Sequence, residues 1–197
     1  MASVKKFDRD EAVNWVMHAF WQGGFESVSV KAVSESLAIT RSSFYNAFDS
    51  REALFLEALE RYFKESPHYK LGDFSQSDSP LKLLTQVFKQ TCLARTDDAS
   101  HRGCMAVNGV SELVGVNNKL GPIVEQAVLT SISTFEALLN HCIGLGELEK
   151  NTDTRNLALA LQNTLMGLNT MSKVITTEQE LWSTTKLTLK ALGVFRG

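Results

Sequence analysis

The stretch Ser29–Arg51, SVKAVSESLAITRSSFYNAFDSR, reads as two short helices joined by a tight turn. Ser29 is a candidate N-cap, its hydroxyl placed to accept an orphan N–H of a first helical turn. Val30, Val33 and Leu37 then fall at i, i+3 and i+7, giving one apolar stripe that ends near Leu37-Ala38. Thr40 can cap the next helix. In it Phe44 and Phe48, four apart, point inward, while Arg41, Ser42, Tyr45 and Asn46 point away. The result is a polar, Arg-bearing helix face with no core to fill.

Upstream, Asp8 with Glu11 three positions later has the capping-box arrangement. Apolar residues at 12, 13, 16, 19 and 20 repeat with the helical period, and Gly23-Gly24 supplies a stop, so a helix is expected over roughly 8–22. Three helices then share a small core of Phe20, Val33, Leu37, Phe44 and Phe48. Downstream, Ser50 can cap a fourth helix running to about Glu65, where Ser66-Pro67 ends it, and the polar run Gly72–Ser79 reads as a loop. A helix of that length can rigidly join two units. The boundary is placed inside it, giving domains of 1–53 and 54–197.

The remainder continues in helical period. Helices are expected from Pro80 to about Arg95, from Gly103 to Val116, from Leu120 to Gly144, from Asp153 or Thr154 past Leu168, and from Glu178 to Val194. Asn108-Gly109 has the composition of a hairpin turn, but its flanks lack period-two alternation. Three prolines in 197 residues, with 44% hydrophobic and 21% charged residues, are too few breakers for a many-stranded sandwich. The fold class expected is all-α, with about nine helices. Paired apolar helices at the C-terminus suit a helix-bundle homodimer.

Composition excludes several functions. No apolar run approaches the roughly 18 residues of a membrane span, and the start lacks the apolar core of a signal peptide, so a cytoplasmic protein with no membrane partner is expected. Cys92, Cys104 and Cys142 are odd in number and at no framework spacing, which points to reduced thiols. An enzyme would need a nucleophile with its base, a carboxylate pair or a phosphate loop. No GxSxG, HExxH or Walker pattern occurs, and Gly144-Leu145-Gly146 follows a helix and lacks a third glycine. His101, Cys104, His141 and Cys142 are metal-ligand types whose spacing supports no closed site, so neither metal nor cofactor is expected. The net charge is −2, and residues 1–51 carry six Lys/Arg against six Asp/Glu. Bulk attraction to nucleic acid is excluded; placed contacts are not.

The segment from the first helix to Arg51 resembles the DNA-binding domain of the tetracycline-repressor (TetR) family of bacterial transcription regulators. The resemblance rests on Phe20, Gly24-Phe25, Ser29-Val30, Ala32-Val33, Ser43-Phe44-Tyr45, Phe48 and Ser50-Arg51-Glu52-Ala53-Leu54. The later run Arg102-Gly103-Cys104-Met105-Ala106-Val107-Asn108, with Glu112, is similar to a motif in one branch of the family's sensor domains. There are two departures. Ala38 stands where the family has a turn glycine, and Arg51 replaces a lysine.

The resemblance implies an N-terminal helix-turn-helix domain and a larger helical domain for ligand binding and dimerisation. It implies a repressor that binds a palindromic double-stranded DNA operator as a homodimer through its last two helices. An unknown small-molecule or thiol-reactive effector would release it. Thr40, Arg41, Ser42, Ser43 and Asn46 would face base edges, Arg41 matching guanine and Asn46 adenine or a phosphate. Tyr45 and Arg51, with Ser29 and Lys31, would touch phosphate. Lys5 and Lys6 are either a minor-groove arm or a solvated tail. Cys104 and Asn108 are the effector candidates. Cys104 is read either as a small buried core residue or as a sensor thiol activated by His101 and Arg102. The alternative function is a helical small-molecule-binding or redox-sensing protein that does not bind DNA.

Overall fold

A computed structural model of the chain describes residues 8–197. Lys5 and Lys6 lie outside the described residues. Nine α-helices and one 3₁₀ segment are present among them: α1 (Arg9–Gly23), α2 (Val30–Ser36), α3 (Arg41–Phe48), α4 (Arg51–Glu65), a 3₁₀ segment (Pro67–Gln76), α5 (Pro80–Thr96), α6 (Met105–Leu113), α7 (Gly121–Gly144), α8 (Thr154–Met171) and α9 (Glu178–Ala191).

The helix starts follow the sequence. Asp8 caps α1 by accepting the N–H groups of Asp10 and Glu11, and Ser29, Thr40, Ser50 and Asp153 each accept one N–H of the helix that follows. Three expectations are corrected. Most of the run Gly72–Ser79 lies in the 3₁₀ segment rather than a loop; Leu71 is fully buried there, and this apolar anchor holds a polar sequence in helical turns. The sixth helix starts at Met105 rather than Gly103, because Gly103 is left-handed at φ +70° and Cys104 becomes the N-cap. Its far end closes at Leu113, two residues before the left-handed Gly115. The last helix stops at Ala191, two residues before Gly193 at φ +75°.

Two apolar clusters organise the packing. The first joins α1–α4 around Phe20, Phe25, Val33, Phe44, Phe48 and Phe55, and takes in Cys104, Met105 and Leu113 of the α6 region and Leu120 and Val124 at the start of α7. The second joins the 3₁₀ segment with α5, α7, α8 and α9 around Leu84, Phe88, Phe135, Leu161 and Leu189. Helices α1–α3 are therefore seated on α4 and α6. Ion pairs Arg9–Glu57 (2.6 Å) and Arg61–Asp10 (2.8 Å) pin α1 to α4 from the solvent side.

Candidate nucleic-acid interface

Helix α3 is split along its axis. Phe44 is 0% and Phe48 2% exposed, against the first core, while Arg41, Ser42, Tyr45 and Asn46 face solvent. Tyr45 is 51% exposed with its ring packed edge-on against Phe44 at 5.3 Å, so the hydroxyl is carried outward on a supported ring. Among the described residues no carboxylate lies within ion-pair distance of Arg41. On α2, Lys31 is 67% exposed and loosely paired with Glu35 at 3.8 Å. These groups form one outward surface across α2 and α3.

The hydroxyls divide differently. Thr40 Oγ1 accepts the Ser43 N–H at 3.0 Å and lies 3.0 Å from Ser43 Oγ, and Ser29 Oγ accepts the Ala32 N–H at 3.1 Å. Three of the expected contact residues thus spend their side chains on the helix starts that aim their neighbours. Ala38, between α2 and α3, is left-handed at φ +52°, a conformation that favours glycine. Its backbone N–H bonds to Glu35 O at 3.2 Å and that of Ile39 to Ser34 O at 2.9 Å, which fixes the angle between the helices.

Arg51 turns inward. Its guanidinium lies over the Phe25 ring at 3.9 Å and donates to Phe25 O (3.4 Å), Val28 O (3.5 Å) and the Glu26 carboxylate (3.5 Å), leaving the side chain 24% exposed. It ties the first turn of α4 to the connection between α1 and α2.

The second region lies where α1 and α4 meet α5, α6 and α8. Trp21 of α1 donates from Nε1 to Gly103 O at 3.2 Å, stacks under the Arg102 guanidinium at 3.8 Å and meets the Tyr62 ring edge-on at 4.9 Å. Arg102 is held in turn by Asp98, whose carboxylate accepts both its Nη2 (2.9 Å) and its backbone N–H (2.9 Å). Arg102 is thereby committed away from Cys104. Tyr62 faces the Cys104 thiol, and burial, with that thiol beside it, pushes the Tyr62 pKa well above its ordinary value against the pull of Arg95. Arg95 is only 4% exposed; it donates to Tyr62 Oη at 2.7 Å and to Asn169 Oδ1 at 2.5 Å. Sequence reading missed Tyr62, Arg95 and Asn169, since nothing in their local spacing marks a charge at a buried helical position. Asn108 donates to Arg102 O at 3.0 Å and so braces the loop before Cys104.

Cys92, Cys104 and Cys142 are buried and unpaired by disulfide. Among the described residues no group of three or more His, Cys, Asp or Glu side chains could hold a metal ion. None of the described helices is long and apolar enough to cross a membrane. A groove of about 620 Å³ runs between α8 and α9, lined by Thr164, Gly167, Met171, Thr184 and Thr188 among others, and Leu187 stands 68% exposed on the same helix α9.

Comparison with known proteins identifies relatives of this fold. Residues 17–58 match the family described as bacterial regulatory proteins, tetR family, and residues 80–186 match the tetracyclin repressor-like C-terminal domain. The HTH-type transcriptional repressor ComR of Escherichia coli (strain K12) is 24% identical over 166 residues, covering 84% of this chain and 79% of that protein. The HTH-type transcriptional repressor BdcR of the same organism is 30% identical over 107 residues, 54% of each. Among solved structures, a cysteine mutant of the TetR family transcriptional regulator CifR, complexed with 26-bp double-stranded operator DNA, superposes with a TM-score of 0.85 at 28% identity, covering 95% of this chain and 98% of that one.

Proposed function

The chain belongs to the TetR family of bacterial regulatory proteins, DNA-binding regulators of transcription rather than enzymes, and on that premise we propose how its surface performs the task. Residues 1–53 form the reading unit and residues 54–197 the effector and dimerisation unit of a cytoplasmic repressor. The observation that carries this reading is the division of α3: Phe44 and Phe48 anchor the helix while Arg41, Ser42, Tyr45 and Asn46 are offered to solvent on its other face. A helix so presented fits a DNA major groove.

Arg41 brings a planar fork of donors with no carboxylate among the described residues within ion-pair distance, which matches guanine O6 and N7. Asn46 matches adenine or a phosphate, and Ser42 offers a hydroxyl to either. Tyr45 and Lys31 meet phosphate and set register. Thr40, Ser43 and Ser29 contribute chiefly by holding the helix starts, with their neighbouring N–H groups close to the backbone of the DNA. Arg51 contributes by fixing the unit from behind, a part supported by its four contacts with residues 25–28. The near-neutral charge makes binding depend on these placed contacts and on two heads acting together.

The second head comes from a homodimer through α8 and α9, a reading supported by their shared groove and the exposed Leu187 and Met171. A small molecule or thiol reagent acting within residues 80–175 releases the DNA, with Cys104 as the candidate thiol and Asn108 as the brace of its loop. Cys104 abuts Tyr62, so an adduct there adds volume between α6 and α4. Site selection from random duplex DNA by the purified chain tests the reading. A two-fold symmetric site is expected; enrichment of no site would favour a helical ligand-binding protein that does not touch DNA.

A further inference from the structure

The connection between α1 and α2 is gripped from both sides by charge. Glu112, near the end of α6, accepts the Phe25 N–H on Oε2 at 3.0 Å and the Glu26 N–H on Oε1 at 2.9 Å. Gly24 makes room for it: at φ +80°, a Cβ there would lie 2.6 Å from the Glu112 carboxylate. On the opposite side Arg51 donates to the carbonyls of Phe25 and Val28 and to the Glu26 carboxylate. The N–H side of the segment therefore meets an anion from residue 112 and the C=O side a cation from residue 51. The loop that leads into α6 also touches α1, through the Trp21 Nε1 donation to Gly103 O at 3.2 Å.

Apolar contacts between α6 and the first core, through Met105 and Leu113, tolerate sliding. A carboxylate that accepts two adjacent backbone N–H groups does not, because such charge-assisted bonds are short and directional. We infer that Glu112 is a positioning residue for DNA recognition: its carboxylate fixes the angle at which α6 offers the α2–α3 unit to DNA, and it is the link through which a displacement of α6 tilts that unit. The inference rests on the reading of α3 as the DNA-facing helix.

The sign of the effect separates this role from plain electrostatics. Removing a negative charge close to DNA strengthens binding to any sequence, whereas losing the grip on the turn weakens binding to the selected site. The test uses full-length Glu112→Ala and Glu112→Gln, with amide exchange at Phe25 and Glu26 and affinity for the selected site against a random duplex. In Glu112→Ala the two amides should exchange at least about tenfold faster and the specific-to-random affinity ratio should fall at least about tenfold, the effect of losing a single charge-assisted bond. The salt dependence should stay unchanged, since no phosphate contact is lost. Glu112→Gln, isosteric with one acceptor oxygen remaining, should be intermediate and carries the test if the alanine variant does not fold. Unchanged amide exchange, or a ratio within about twofold of the parent despite a lower Tm, would overturn the inference. If the parent itself prefers no sequence, the reading of α3 fails instead, and amide exchange still decides whether Glu112 holds the turn.

Discussion

Ala38 carries a cost that glycine would avoid. At φ +52° its Cβ is pressed toward the neighbouring carbonyl, about 1–2 kcal/mol of strain, partly offset because alanine has fewer unfolded conformations to lose. Ala38→Gly should therefore stabilise the protein by roughly 0.5–1 kcal/mol in denaturant titration. Unchanged or reduced stability would mean that the turn relaxes around alanine. His68 makes a second residue-scale prediction. Burial lowers its pKa from 6.5 to about 4; its Nε2 lies 3.0 Å from Ser131 Oγ and its buried Nδ1 has no hydrogen-bond partner among the described residues. The unfolded chain binds the proton at a higher pH than the native one does. Stability is thus complete above about pH 6.5 and is lost as pH falls toward about 4, by roughly 1–3 kcal/mol. Unfolding titrations between pH 7 and 4.5 should show this slope, and His68→Gln should flatten it; a parental slope in the variant would assign the effect elsewhere. What the sequence made legible at this scale was local. Phe44, Phe48 and the exposed Arg41, Tyr45 and Asn46 follow from helical spacing alone. Glu112 at Phe25 and Glu26, or Arg95 between Tyr62 and Asn169, join residues 33 to 87 positions apart, and no local pattern encodes such pairings.

At the scale of elements, the capped helices were the readable ones. Asp8, Ser29, Thr40, Ser50 and Asp153 each announce a start that the structure uses, because an N-cap works through neighbours two or three positions away. The 3₁₀ segment was not readable, since its order comes from burying Leu71 in the second core, which local spacing does not encode. Nor was the start of α6, which depends on how tightly Gly103 packs: a Cβ there would meet Asn169 O at 2.7 Å. The paired helices α8 and α9 were expected to carry the dimer, and their outward groove suits a second copy. Leu187→Asp places a charge on that face at a position already 68% exposed in the single chain, so it should leave the fold intact. Sedimentation should then show monomers at concentrations where the parent is dimeric, with affinity for a full palindrome reduced toward that for a half-site. Persistence of the dimer would move the interface elsewhere.

The whole molecule couples a small reading unit to a larger bundle through a shared core. The first apolar cluster does not end with α4 but includes residues from Cys104 to Val124, so α6 is packed as part of the head's foundation. Charged and polar links run across the same seam, at Trp21–Gly103 O, at Arg102 over Trp21 and at Glu112 on the turn. On the proposed reading, an effector that favours another setting of α6 would weaken DNA binding, and DNA would weaken effector binding by the same factor. The claim beneath all of this is that the exposed face of α3 reads bases. The most direct test is parallel site selection from random DNA with the parent and with Arg41→Ala. The parent should recover a palindrome whose half-sites lie about 34–36 Å apart or a multiple of that. Arg41→Ala should recover the same spacing but lose preference, by about 1–3 kcal/mol, at one symmetric pair of positions. Identical site profiles from the two proteins would contradict the account.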